Sequence, residues 1–241
     1  GAQARLGFPI DVISGHEEAR LIYSGVSQFL SAGDESRLVF DIGGRSTEVI
    51  LGRGREPQRV ESYRIGSVEL SLRYFADGRT SERAMRDAEV AAEAVLEDAA
   101  ALLAGHPWQA AYGASGTVGA VSDILRAMGQ ADGVITPDRL DELARLFVQA
   151  GHVDRLQLPG LKDDRRAVIG GGLAVLRAIC RVLNLQRIEP ARGALRHGVL
   201  LDLLQQEAPL QDVRALTIAR LQQKFGVDLE NATFNSATGN L

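Results

Sequence analysis

Two short runs, Leu38-Val39-Phe40-Asp41-Ile42 and Thr47-Glu48-Val49-Ile50-Leu51, are rich in β-branched and apolar residues and are separated only by Gly43-Gly44-Arg45-Ser46. This pattern predicts a β-hairpin, because a short glycine-containing link reverses the chain between two strands. With residues 43–46 as the loop, Ile42 faces Thr47 and Asp41 faces Glu48. Two carboxylates then share one sheet face with Cβ atoms roughly 5 Å apart. Like charges at that distance destabilise the pair unless one is protonated or a cation lies between them. A divalent metal at Asp41 and Glu48 is therefore expected, and hard oxygen ligands point to Mg2+, which keeps most of its waters and is completed by substrate phosphate. Between the acids, Gly43, Gly44, Arg45 and Ser46 can turn successive N–H groups toward an anion, since glycine permits the left-handed conformations that make such a nest. The competing reading is an ordinary hairpin turn with a solvent-exposed Asp and Glu.

A second glycine turn follows a different strand. Trp108 to Tyr112 reads as a buried strand running into Gly113-Ala114-Ser115-Gly116-Thr117, after which Val118 to Met128 shows helical spacing. Free amides and the helix dipole both favour an anion there, and Ser115 and Thr117 add hydroxyl donors. Two such turns in one chain suit a ligand with more than one phosphate. Upstream, Phe8 to Ser14 alternates like a strand, and Ser14-Gly15-His16-Glu17 matches a capping box that opens a helix. The box gives Glu17 a structural task and leaves Glu18 without one.

Other segments fill in the architecture. A strand is expected at Arg59–Tyr63, and amphipathic helices at 81–104 and from Thr136-Pro137 onward. A long helix is expected from Asp163 to about Leu183, a strand at Arg187–Glu189 and a last helix from Ala194 to Gln206. Gly170-Gly171-Gly172 inside the long helix costs about 1 kcal/mol per glycine relative to alanine, which close helix-to-sheet packing would offset. Arg165, Arg166, Arg192 and Arg196 flank that region as candidate anion contacts. Strands come first as a hairpin meander and later alternate with helices, so the fold class is α/β, a mixed sheet flanked by helices.

Composition narrows the function. The 241 residues are 45% hydrophobic and 24% charged, which excludes a disordered or fibrous chain. No apolar run approaches the roughly 20 residues of a membrane span, and Gly1 to Arg5 lacks the order of a signal peptide. No membrane association and a cytoplasmic location are expected. A net charge of -4 argues against a nucleic-acid partner. Lysine occurs only at Lys162 and Lys224, so the basic residues are nearly all arginine, the better bidentate partner for phosphate. Cys180, the one cysteine, sits among apolar residues as a buried thiol. His16 and His197 show no metal-ligand spacing.

Asp41-Ile-Gly-Gly-Arg-Ser-Thr-Glu48 resembles the phosphate motif DIGGGSTE of the exopolyphosphatase and guanosine pentaphosphate phosphohydrolase family, in the actin-like ATPase superfamily. Ile13 to Tyr23, Arg64-Ile-Gly-Ser-Val68, Gly113-Ala-Ser-Gly-Thr117, Gly133 to Leu140, Leu158-Pro-Gly-Leu161 and Ala194 to Leu200 agree in order, so the resemblance runs from about residue 8 to 226. It implies a ribonuclease H-like domain of the actin type in a bacterial, cytoplasmic hydrolase with Mg2+ as cofactor. The implied reaction releases terminal orthophosphate from inorganic polyphosphate, or the 5′ γ-phosphate from guanosine pentaphosphate. A homodimer of the full-length protein is a further expectation. By the same resemblance Glu18 matches the catalytic glutamate, the base for the attacking water, and Asp41 and Glu48 match the metal and water-orienting acids. Gly43, Gly44 and Ser46, with Gly113, Ser115, Gly116 and Thr117, match the phosphate loops, and Arg165 matches a basic residue contacting the polyanion.

Two departures qualify it. Arg45 replaces the third glycine of the motif, so it either adds a phosphate ligand or obstructs a left-handed turn. A first phosphate loop of the DLGSNS type is absent from residues 1–30, which suggests an incomplete fragment and weak hydrolysis by this chain alone. The expected organisation is residues 1–30 as the end of a first domain or a linker strand and helix, 31–206 as the phosphatase domain, and 207–241 as a C-terminal helix and poorly ordered tail. A non-catalytic polyphosphate or alarmone sensor is the alternative from outside the enzyme class.

Overall fold

The computed structural model describes residues 12–204, together with Arg5 and Gly7. The expected strand at Phe8–Ser14 lies largely outside them, as does the C-terminal segment 207–241. In chain order the elements are α1 (Gly15–Ser27), β1 (Ser36–Ile42), β2 (Thr47–Arg53), β3 (Glu56–Tyr63), α2 (Ser67–Tyr74) and α3 (Glu82–Leu103). There follow β4 (Ala110–Ala114), α4 (Ser115–Ala127), α5 (Pro137–Gln149), a 3-10 turn (Val153–Arg155), α6 (Asp163–Arg166), α7 (Ile169–Val182) and β5 (Glu189–Pro190). Residues 195–204 are helical. The chain divides into two units, Gly1–Val199 and Leu200–Leu241, and every strand among the described residues belongs to the first.

The five strands lie in the order β3-β2-β1-β4-β5. β1 runs antiparallel to β2 and β2 to β3, whereas β4 is parallel to β1 and to β5. The hairpin has the register its turn length predicts, Asp41 against Glu48 and Ile42 against Thr47. Because successive strand residues face opposite ways, β1 and β2 feed two separate cores. Leu38, Phe40, Ile42, Val49 and Leu51 join the larger one, which α2, α3, α4, α5 and α7 enclose. Val39, Ile50 and Ala114 face Ala19, Ile22, Tyr23 and Val26 of α1. Burying each of the Leu, Ile, Val and Phe side chains among them contributes roughly 1.5–3 kcal/mol, so β1 and β2 are held from both sides.

Several elements differ from expectation. β4 begins two residues later than the strand read at Trp108–Tyr112, and α4 starts at Ser115 rather than Val118. β3 extends back to Glu56, and β5 covers Glu189–Pro190 instead of Arg187–Glu189. The long helix from Asp163 is broken, with Val168 at φ -115° and ψ -2° between α6 and α7. Helix α2 was not anticipated. The three glycines of α7 answer to close packing, as expected, but mainly against helices rather than the sheet. A Cβ on Gly171 would lie 2.2 Å from the Ser67 carbonyl oxygen of α2, and one on Gly170 2.5 Å from the Phe147 ring of α5.

Candidate active site

β1 and β4 are parallel, so the turns leaving them emerge at the same end of the sheet, and Asp41 pairs laterally with Ala114. That edge is where open α/β sheets receive ligands. The turn 43–46 and the start of α4 are therefore neighbours, as a ligand with several phosphates requires.

Asp41 and Glu48 project from the sheet face that α1 covers, and Glu18 lies in the first turn of α1. Ser14 caps that turn by accepting the Glu17 N–H at 3.2 Å. The Glu17 carboxylate takes both prongs of the Arg20 guanidinium, at 2.9 and 2.6 Å. Glu18 instead lines an open groove with Arg45, Ser46 and Ser62. Burial, then Glu48, then Glu18 push the Asp41 carboxyl up from its ordinary 3.8 to about 7. Glu48 is only 1% exposed, and burial raises it too, while hydrogen bonds from Ser62 and Ser46 work the other way. The Ser62 hydroxyl donates to Glu48 Oε1 at 2.8 Å. Near neutrality such a pair holds a proton or a cation between its members.

The donor set suits Mg2+ in one way and limits it in another. Among the described residues, no three His, Cys, Asp or Glu side chains are placed to hold an ion between them. Magnesium needs only one or two carboxylates, with water and phosphate oxygens completing the octahedron, and Asp41 with Glu48 meets that requirement.

The turn itself is built differently from the expected nest. Its closing bond runs from the Gly43 N–H to the Ser46 carbonyl at 2.9 Å. None of residues 43–46 has a left-handed φ, so Arg45 obstructs nothing by standing where a glycine would. The turn's carbonyls cap α2, Gly43 accepting the Ser67 N–H at 2.9 Å and Gly44 accepting those of Val68 and Glu69 at 3.0 Å. A trans peptide directs its N–H opposite to its C=O, so the Gly44 and Arg45 amides point away from α2. Glycine is required for closeness: a Cβ on Gly44 would lie 3.2 Å from Val68, and one on Gly66 2.5 Å from the Arg45 nitrogen.

At the second turn, the Ala114 side chain offers α4 no cap bond, and Ser115 takes φ +102°, an uncommon conformation for a residue other than glycine. Gly116 is overlain by Arg165, whose guanidinium would lie 2.7 Å from a Cβ there. The Ser115 hydroxyl accepts the Val118 N–H at 3.3 Å, and Arg165, 3.6 Å from Asp164, sets a guanidinium beside the first turn of α4. Gly113 faces Val118 and Phe40 in the larger core, away from the carboxylates. The Thr117 hydroxyl is buried and donates to the Ile42 carbonyl at 3.3 Å, tying α4 to β1.

Of the remaining candidates, Arg166 is held by the Leu156 carbonyl and by Asp163. Burial pushes the Cys180 thiol up to about 12, which makes it inert. Ser62, Arg73 and the Ser67 cap were not singled out beforehand. Ser62 was recoverable, since extending the meander by one strand sets it opposite Glu48.

Comparison with known proteins agrees with this frame. An exopolyphosphatase from Cytophaga hutchinsonii superposes with a TM-score of 0.72 at 22% identity, covering 85% of this chain and 68% of the other. A Ppx/GppA phosphatase from Aquifex aeolicus gives 0.67 at 21%, covering 83% and 67%. An exopolyphosphatase-like protein gives 0.71 at 22%, covering 85% and 71%. These likenesses establish the actin-like ATPase fold. A model of the Ppx/GppA phosphatase family matches residues 1–207, across both glycine turns, all three carboxylates and Arg165, and the chain belongs to that family.

Proposed function

We propose that the protein hydrolyses the terminal phosphoanhydride bond of inorganic polyphosphate and releases orthophosphate. The observation that carries this is the convergence of Glu18 with the facing pair Asp41 and Glu48, next to two turns at one sheet edge. Glu18 accepts a proton from water as the water oxygen bonds to the terminal phosphorus. The bridging P–O bond breaks, and its electrons stay on the shortened chain. Amides of the 43–46 turn and the start of α4, with Ser46, Ser115, Gly116 and Arg165, position the phosphates, since positioning and charge stabilisation dominate phosphoryl transfer. Magnesium held by Asp41 and Glu48 would neutralise charge on phosphate oxygens.

Guanosine pentaphosphate presents a terminal phosphoanhydride too, and direct comparison of the two substrates separates a polyphosphatase from a pentaphosphatase. Glu18→Gln tests the mechanism. It is expected to lower orthophosphate release by about 100-fold or more while phosphate binding persists. Undiminished turnover in Glu18→Gln removes Glu18 from its role, and binding without turnover in the unaltered protein favours a sensor.

A further inference from the structure

We infer that Ser62 is a positioning residue for the hydrolysis: its hydroxyl holds Glu48, while its contact with Gly15 sets the helix that carries Glu18 against the acid pair. This rests on the phosphatase reading above and adds to it the means by which the base and the metal-binding carboxylates are kept in one geometry.

Strand β3 brings Ser62 opposite Glu48 in the antiparallel ladder, so both side chains leave the same face of the sheet. Val60, two residues earlier, packs against the cluster that α1 shares with β1 and β2, which puts Ser62 on the α1 side as well. There its hydroxyl donates to Glu48 Oε1 at 2.8 Å. Glu48 is almost wholly buried, so this bond sets the direction of a carboxylate that bulk water scarcely reaches. An ionised carboxylate has about four lone-pair sites, and one donor therefore fixes the group without using it up.

The other side of Ser62 meets α1. Gly15 opens that helix, and Gly15, Glu18, Ala19 and Ile22 stand at spacings that share one helical face. Ala19 and Ile22 pack on the sheet, so the same face brings Glu18 to it. A Cβ on Gly15 would lie 2.6 Å from both the Cβ and the Oγ of Ser62, closer than such atoms pack. A side chain at 15 would therefore either lift α1 or turn the Ser62 hydroxyl off Glu48. The Glu18 N–H is bonded to the Ser14 carbonyl at 2.9 Å, so Glu18 moves with that first turn. One serine thus touches a metal-binding acid and the helix of the base, and it acts through them rather than by bonding phosphate. A shift of about 1 Å in such a site can cost about 100-fold in rate.

Ser62→Ala keeps the Cβ and removes the hydroxyl. Calorimetric titration of Mg2+ into this variant, with orthophosphate present, is expected to give an affinity about tenfold weaker than in the unaltered protein. At saturating Mg2+ its kcat on inorganic tripolyphosphate should fall about tenfold or more with KM unchanged, because no phosphate contact has been removed. Gly15→Ala should lower kcat in the same way. Combining Gly15→Ala with Ser62→Gly clears the space but supplies no hydroxyl, so the urea midpoint should recover relative to Gly15→Ala while Mg2+ affinity stays weak. A serine that only packs would shift the urea midpoint of Ser62→Ala and leave Mg2+ affinity and kcat per folded molecule as they were. That result overturns the inference and leaves the phosphatase reading standing, as does full Mg2+ affinity in Gly15→Ala/Ser62→Gly. A raised KM at unchanged kcat in Ser62→Ala also overturns it, since Ser62 would then be bonding substrate. Failure of the unaltered protein both to bind Mg2+ and to release orthophosphate overturns the two readings together.

Discussion

Asp41 concentrates the chemistry of the site in one side chain. Its carboxyl is raised to about 7 from an ordinary 3.8, first by burial and then by Glu48 and Glu18. A raised acid holds its proton in the folded state across that window, so its contribution is complete below the lower value and is lost as pH rises through the higher one. With divalent ions chelated, the urea midpoint is predicted to fall between about pH 4 and pH 7 and to level off above that, and Asp41→Asn to flatten the fall. At Arg45 the prediction is of little change. Because no residue from 43 to 46 is left-handed, Arg45→Gly relieves no strain and should lower stability slightly, by under about 1 kcal/mol, through unfolded-chain entropy. A marked gain on urea denaturation would show strain at that position. Glycine has two uses in a turn, left-handed φ and the absence of a Cβ, and sequence alone does not separate them. Here the second governs, with Gly66 against Arg45 and Gly44 against Val68.

Among the elements, legibility followed the distance over which each is determined. The β1–β2 hairpin was readable to the residue pair because a four-residue turn leaves one register open. Ser14 and Thr136 announced α1 and α5 through caps three residues away. Helix α2 gave no such sign: Gly66 precedes it without a side-chain cap, and its amides end on carbonyls more than twenty residues earlier. The placement of Arg165 over Gly116 is equally non-local. Helix α7 shows how contact overrides propensity. Alanine favours a helix over glycine by about 1 kcal/mol, yet a Cβ at Gly171 would sit 2.2 Å from the Ser67 carbonyl. Gly171→Ala is therefore predicted to destabilise by about 1–3 kcal/mol net on urea denaturation, and since Ser67 also caps onto Gly43, the shift should reach the hairpin turn.

For the molecule as a whole, the sheet's mixed polarity explains why the site lies where it does. Antiparallel β1 and β2 set two acids opposite one another, parallel β1 and β4 bring their following turns to the same edge, and α1 lays Glu18 over that face. No helix among the described residues is long and apolar enough to cross a membrane. The proposed hydrolysis turns on a cation that Asp41 and Glu48 would hold and share with phosphate. The most direct measurement is calorimetric titration of Mg2+ into the protein with and without orthophosphate, repeated on Glu48→Gln. The account predicts that each ligand tightens the other, as linkage requires, and that Glu48→Gln abolishes the coupling. Magnesium binding that is indifferent to phosphate, or unchanged by Glu48→Gln, would contradict it.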